Sequence, residues 1–277
     1  MKLIKVFFIL LFLIGNYSCS KNEKKVSSIN AKSLDLQVLE AYKEGLKSLE
    51  EGDVLFAAKK FNEAETLFPQ SIWAPKSSLM AAYAYYSQDY YEDAIIELTR
   101  FIKIYSLNEN IDYAYYLLGL SYYEQIADEK KDLNSIIRAK ENFEIIVREY
   151  PNTEYALDSG FKIDLINDVL ASKEMYLGRY YFEKKKWVAA INRFRTVVDN
   201  YDTTIYSEEA LHRLVEIYYT LGLKNESQKY AKLLGYNYQS SIWYERSYSY
   251  FNRQYKLRQN DIKNNKSLIK KFRSFFE

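Results

Sequence analysis

The stretch "GLKSLEEGDVLFAAKKFNEAETLFP", residues 45–69, supplies a ruler for the whole chain. Gly45 is followed at offsets of 12, 16, 19 and 24 by Ala57, Phe61, Ala64 and Pro69. These offsets have a steric meaning. A small residue on one helix lets a second helix approach, and the small residue 12 positions later falls where the two cross. Phe61 and Ala64 are spaced to share one face of the second helix. Pro69 cannot continue that helix and ends it. The stretch reads as two short antiparallel helices.

The same ruler fits four more times. Ala82 leads to Ala94, Leu98, Phe101 and Ser106; Gly178 leads to Ala190, Phe194, Val197 and Asp202. Val215 leads to Ser227, Ala231, Leu234 and Gln239. Gly119 reaches Ala139, Phe143, Ile146 and Pro151 only after eight extra residues, which places a longer loop in "IADEKKDLNSI". Five units in phase resemble tetratricopeptide repeats and predict an all-α fold, an α-solenoid of about five helix pairs. Scarcity of glycine and proline (8 and 3) beside 29 tyrosines agrees with helices packed on helices. The repeats are expected at about 35–69, 72–106, 109–151, 154–202 and 205–239, within a domain spanning 35–240. No proline occurs between "TEYALDSG" and "YYFEKKK", and Phe161, Leu165 and Val169 recur at helical spacing. One long helix should therefore end the third repeat and begin the fourth.

The chain begins with Lys2 and Lys5, an apolar run from Val6 to Ile14, a small-polar stretch from Gly15 to Ser18, and then Cys19. The run is shorter than the roughly 20 apolar residues that span a bilayer, so residues 1–18 read as an export signal. Cys19 is the single cysteine of the chain. It can join no internal disulfide, so it is either a bystander behind an ordinary signal peptide or, as the order of charged start, apolar run and cysteine favours, the point of lipid attachment. The segment resembles a bacterial lipoprotein signal, with Ser20 in place of the inner-membrane aspartate. That resemblance implies an outer-membrane anchor facing the periplasm, with residues 19–34 as a polar leash.

Net charge is +2, so no global field calls for nucleic acid. The charge is uneven. Residues 241–277 hold nine basic and three acidic side chains, a local +6. That basic, aromatic extension, "SIWYERSYSYFNRQYKLR" onward, is expected to cap the last repeat with a helix and to leave its lysine-rich end free. His212, the lone histidine, is read as a packed or surface residue. There is no phosphate loop, no nucleophile elbow and no His/Cys cluster for metal. The expected protein is not an enzyme, has no catalytic residues, and uses no cofactor or metal.

Surfaces remain. The groove of such arrays is lined from the first helix of each pair, which selects Leu39, Tyr42, Leu46 and Leu49, then Lys76, Leu79, Tyr83 and Tyr86, then Tyr113, Tyr116, Leu120 and Tyr123. Tyrosines there either receive an aromatic-ended peptide or fill space between repeats. In "WVAAINRFRTVVDNY" a largely apolar helix is interrupted by Asn192 and Arg193. Arg193 is either a solvated residue or a fork for a partner's carboxylate.

From Leu36 to Gln239 the chain resembles the BamD family, the tetratricopeptide lipoproteins of the β-barrel assembly machinery. The strings that carry the resemblance include "NIDYAYYLLGL", "FEIIVREYPNTEYALD" and "YYFEKKKWVAAINRF". It implies a scaffold that binds the periplasmic domains of a BamA-like insertase and receives nascent outer-membrane proteins, with further assembly lipoproteins as companions. The "NR" pair, Asn192 and Arg193, would meet BamA. The tyrosines listed above, with Lys76, would meet the client. The alternative is a periplasmic adaptor for envelope constriction or peptidoglycan enzymes. "EKKDLNSIIRA" and the basic tail depart from the family.

Overall fold

The computed structural model describes residues 31–125 and 133–252. Cys19, most of the loop after the third repeat's first helix, and the tail beyond Asn252 lie outside them. The described residues form eleven helices and no strands. They are α1 (Ala31–Glu50), α2 (Val54–Leu67), α3 (Trp73–Tyr86), α4 (Tyr91–Ile104), α5 (Ile111–Tyr123), α6 (Asn134–Glu149), α7 (Glu154–Glu183), α8 (Trp187–Asn200), α9 (Ser207–Thr220), α10 (Lys224–Asn237) and α11 (Ile242–Phe251). The fold is all-α, built from helix hairpins of the tetratricopeptide type.

The chain divides into two compact units, one up to Ala81 and one from Ala82 onward. In the first, α2 starts at an Asp53 cap that accepts the Phe56 N–H at 3.1 Å. Its apolar face, Ala57, Phe61 and Ala64, is fully buried with Val38 and Ala41 of α1. Helix α2 stops two residues before Pro69, as the ruler requires. Trp73, at the start of α3, closes on Tyr42 with ring centroids 5.2 Å apart.

In the second unit, consecutive helices pack pairwise from α5 to α10, and α11 lies across α9 and α10. Two buried clusters carry it. One centres on Phe143 and Ile146 of α6 with Ile166 of α7. The other centres on Phe194 of α8, Met175 of α7 and Leu214 of α9. Helix α7 runs unbroken for 30 residues and joins both clusters.

The ruler's first and third marks meet. A Cβ added at Gly45 would lie 2.8 Å from the Phe61 ring, one at Gly119 would lie 2.6 Å from Phe143, and one at Gly178 would lie 2.5 Å from Phe194. Glycine is needed because the phenylalanine ring occupies the space of the missing side chain. Where the first mark is larger, the third is smaller: Ala82 with Leu98, and Val215 with Ala231. The second mark is at the crossing as well, since the Ser227 hydroxyl of α10 donates to the Val215 carbonyl of α9 at 2.9 Å.

Each described turn within a hairpin has a left-handed residue seven positions after the first mark. These are Gly52 (φ +83°), Asp89 (φ +65°), Lys185 (φ +54°) and Gly222 (φ +78°). This conformation ends the first helix by folding its last carbonyls onto following N–H groups, as in Asp53 N–H to Ser48 O at 2.9 Å.

Helix α11 closes the end of the array. Its Ser247 hydroxyl pairs with His212 Nδ1 at 2.8 Å, and Trp243 lies 5.2 Å from the His212 ring. Gly235 admits the Tyr244 ring, which would come within 2.7 Å of a Cβ there. Burial pushes the His212 imidazole down to about 4, helped by Arg213 and Arg246 and opposed by Glu216 and Glu209.

Two stability predictions arise. Gly178→Ala gains about 1 kcal/mol of helix propensity but forces a methyl against Phe194, an overpacking cost of about 1–3 kcal/mol. Net destabilisation is expected in urea unfolding. Adding Phe194→Leu recreates the Ala/Leu combination of the second repeat and should recover most of the loss, whereas additive losses would refute the interlock. His212 is neutral in the folded state, so the unfolded chain binds an extra proton between pH 6.5 and about 4. Stability should be full above pH 6.5 and fall by about 3 kcal/mol towards pH 4. Thermal melts across that window should flatten in His212→Gln.

Candidate binding faces

The sequence-selected tyrosines do not form one class. In the first unit Tyr42 is 6% exposed and belongs to the core, between Phe61 (5.3 Å) and Trp73. Lys76 lies over both rings, 5.7 Å from Tyr42 and 5.3 Å from Trp73. What this unit offers is the exposed Lys76 ammonium on an aromatic base.

In the second unit Tyr83, Tyr86, Tyr113, Tyr116 and Tyr123 are partly or well exposed, and several are coupled. Tyr113 and Tyr116 of α5 both pack on Tyr155 of α7, at 5.4 and 5.1 Å, the latter pair stacked. The Tyr116 hydroxyl donates to Asp158 at 2.6 Å. Tyr123 receives the Lys162 ammonium 5.1 Å from its ring, and Lys162 also pairs with Asp158 at 3.7 Å. Burial, then the nearby Tyr83, Tyr155 and Tyr86 hydroxyls, pushes Tyr113 up. Burial, then the bond to Asp158, does the same for Tyr116. Both phenols stay neutral donors across the physiological range. The result is a half-buried aromatic face with fixed hydroxyl positions, rigid because α7 holds it from behind.

Sequence reasoning missed Tyr155, Asp158 and Lys162. They sit on the shared helix, where the ruler has no mark; the signal was in "EYALDSGFK", which places them three or four residues apart on one side.

Arg193 is on the edge of α8, with its side chain 41% exposed. Its Nη1 donates to both carboxylate oxygens of Glu174 on α7, each at 3.1 Å. Glu174 is much less exposed, at 17%. One nitrogen of the fork is thus committed within the chain, and Nη2 has no partner among the described residues. Arg193, exposed Asn192 and Thr196 border a small cleft of about 190 Å³, closed by Tyr181 and Ala189. Beside it, Arg195 pairs with Asp199 at 3.7 Å. Glu174 was not selected from sequence, because its pairing depends on how α7 and α8 are rotated about each other.

A neighbouring ion pair fixes α9 against α7. Arg179 donates to Glu209 through Nε at 3.0 Å and Nη2 at 2.5 Å, and Arg213 adds a third contact at 3.3 Å. Burial raises the Glu209 carboxyl, but the two guanidinium groups outweigh it and hold it below the ordinary value.

The family described as YfiO, outer membrane lipoprotein, matches residues 34–233. The outer membrane protein assembly factor BamD of Rickettsia prowazekii is 46% identical over 209 residues, covering 76% of this chain and 82% of that protein. BamD of Caulobacter vibrioides is 41% identical over 211 residues, covering 76% and 69%. Among solved structures, the TPR domain of P58(IPK) is similar at 15% identity and a TM-score of 0.39, over 85% of this chain and 69% of that one. The match runs from α1 into α10 and covers both candidate faces: the chain belongs to the BamD (YfiO) family of outer membrane lipoproteins.

Proposed function

We propose that this chain is a non-enzymatic outer membrane protein assembly factor. It works as a scaffold, anchored through lipid on Cys19 to the periplasmic face of the outer membrane. The observation that carries the reading is the 46% and 41% identity with two BamD proteins over 209 and 211 residues. The same relatives give the envelope-constriction adaptor no support.

Two faces divide the work. The Asn192–Arg193 edge of α8 holds a BamA-like insertase through its periplasmic domains. Glu174 fixes one nitrogen of the Arg193 fork, so the remaining donors are aimed before the partner arrives and less rotamer entropy is lost on binding. The aromatic face of α3, α5 and α7 receives unfolded β-barrel proteins. Tyrosine offers broad apolar area and a hydroxyl with only two side-chain torsions to freeze, which suits clients that share aromatic ends but little else. Other assembly lipoproteins are companions in the same reading.

Arg193→Glu alone would set two carboxylates side by side, so loss of a partner could reflect a disturbed helix. The Glu174→Arg/Arg193→Glu swap removes that ambiguity, because it restores the internal pair with its sense reversed. All three proteins, wild type, single variant and swap, are purified from membranes in lipidated form, and their partners are identified by mass. A large β-barrel protein with periplasmic domains should accompany the wild type and be lost from the single variant and the swap. If the swap retains it, Arg193 acts only inside the chain. If only cell-wall enzymes accompany the wild type, the assembly reading is wrong.

For the client face, Tyr83→Ala and Tyr155→Ala should each weaken binding of a peptide from the aromatic-ended last strand of an outer-membrane barrel. The expected change is on the order of two- to tenfold in Kd by fluorescence anisotropy. Unchanged affinity in both would return these rings to packing.

A further inference from the structure

Helix α7 has an outward face that neither proposed role uses. Leu157, Phe161 and Leu165 are 70%, 62% and 54% exposed, and their four-residue spacing lines them along one side of the helix. Tyr176, 59% exposed, extends the row. A long soluble helix ordinarily presents charge there. The flanks are acidic: Glu154, Asp164 and Asp168 fall on the same side, and neither Asp164 nor Asp168 has a hydrogen-bond or ion-pair partner among the described residues. The basic groups near this stretch are accounted for elsewhere, since Lys162 pairs with Asp158 and lies over Tyr123. The surface is therefore an apolar row edged with negative charge, of which Asp164 and Asp168 are unpaired among the described residues.

The chain itself supplies the complement. Residues 266–276 read "KSLIKKFRSFF". Leu268, Phe272 and Phe276 recur at the same four-residue spacing, with Lys266, Lys270, Lys271 and Arg273 among them. The connection is short enough. The Arg213 guanidinium lies 5.2 Å from the Phe182 ring near the end of α7 and 5.7 Å from the Trp243 ring at the start of α11. The C-terminal helix thus begins beside α7. From Phe182 back to Phe161 is about 32 Å along the helix, while the 13 residues between Asn252 and Lys266 reach up to about 45 Å.

We propose that the acidic, apolar face of α7 around Phe161 takes up the chain's own C-terminal segment, residues 266–276. The segment shields Phe161 and its neighbours from water and brings four positive charges to three negative ones.

The test uses the full chain with Cys19→Ser, which leaves no native thiol. Phe272→Cys is combined either with Phe161→Cys or, as a control, with Val188→Cys on α8, which is 73% exposed. Both partner positions are exposed, and circular dichroism checks that helicity is retained. Under mild oxidation of dilute protein, an intramolecular disulfide should form at Phe161→Cys at least about tenfold faster than at Val188→Cys. Adding Asp164→Asn and Asp168→Asn, or raising salt to about 1 M, should cut the rate severalfold. Equal rates at the two positions would overturn the proposal. So would disulfides found only between chains, which would give the face to a second copy.

Discussion

The fold rests on an exchange of volume between two helices. At Gly45, Gly119 and Gly178 a phenylalanine 16 or 24 positions later occupies the space a side chain would need, with ring atoms 2.5–2.8 Å from the absent Cβ. Two helix axes can come this close only where one of them carries no side chain at the contact. The phenylalanines that exploit the gap are fully buried and, with Phe101, are the largest side chains to be so among the described residues. Each is worth about 3–5 kcal/mol when truncated to alanine, far more than any exposed ion pair here. The exchange tolerates other combinations provided the sum is kept, as Ala82 with Leu98 and Val215 with Ala231 indicate. It also survives eight additional residues between Gly119 and Phe143, because the loop's length does not enter the contact.

From that contact the rest of the hairpin follows. Once the helices are in register, the chain must reverse within a few residues, and the left-handed position seven after the first mark does this. Glycine fills it at 52 and 222 at no steric cost, while Asp89 and Lys185 occupy it against their intrinsic preference. That asymmetry says packing, rather than turn chemistry, decides the hairpin: the core holds Lys185 in a conformation its side chain disfavours.

Much of this was legible in the chain because it is periodic. The five first marks, the phenylalanines, the stops before Pro69 and Pro151, and the uninterrupted α7 all come from spacing alone. So does the extra helix after the last repeat, and the structure adds that Ser241 caps it by accepting the Trp243 N–H. What spacing does not carry is which way helices of successive hairpins are turned. The Arg179–Glu209 fork and the stacking of Tyr116 on Tyr155 join residues from different ruler periods, and the Arg193–Glu174 pair depends on how the two helices of one hairpin are rotated about each other. Tyr42 shows the converse. The groove rule selects it, yet the Trp73 ring that begins the next helix packs on it.

The shared helix α7 is where these threads meet. Its first third backs the aromatic face through Tyr155 and Asp158; its middle carries Glu174, which aims Arg193; and its last turns anchor α9 through Arg179. The two candidate faces are therefore mounted on one continuous hydrogen-bonded rod, roughly 45 Å long, with no proline or exposed glycine hinge between Tyr155 and Glu174 apart from Gly160. A rod of this kind keeps the spacing between faces fixed while the loops at either end are free to vary. Under the proposed function, that rigidity would keep a bound partner and a client at a set separation. It also explains why α7, whose one repeat mark is Gly178, keeps helical spacing across 30 residues.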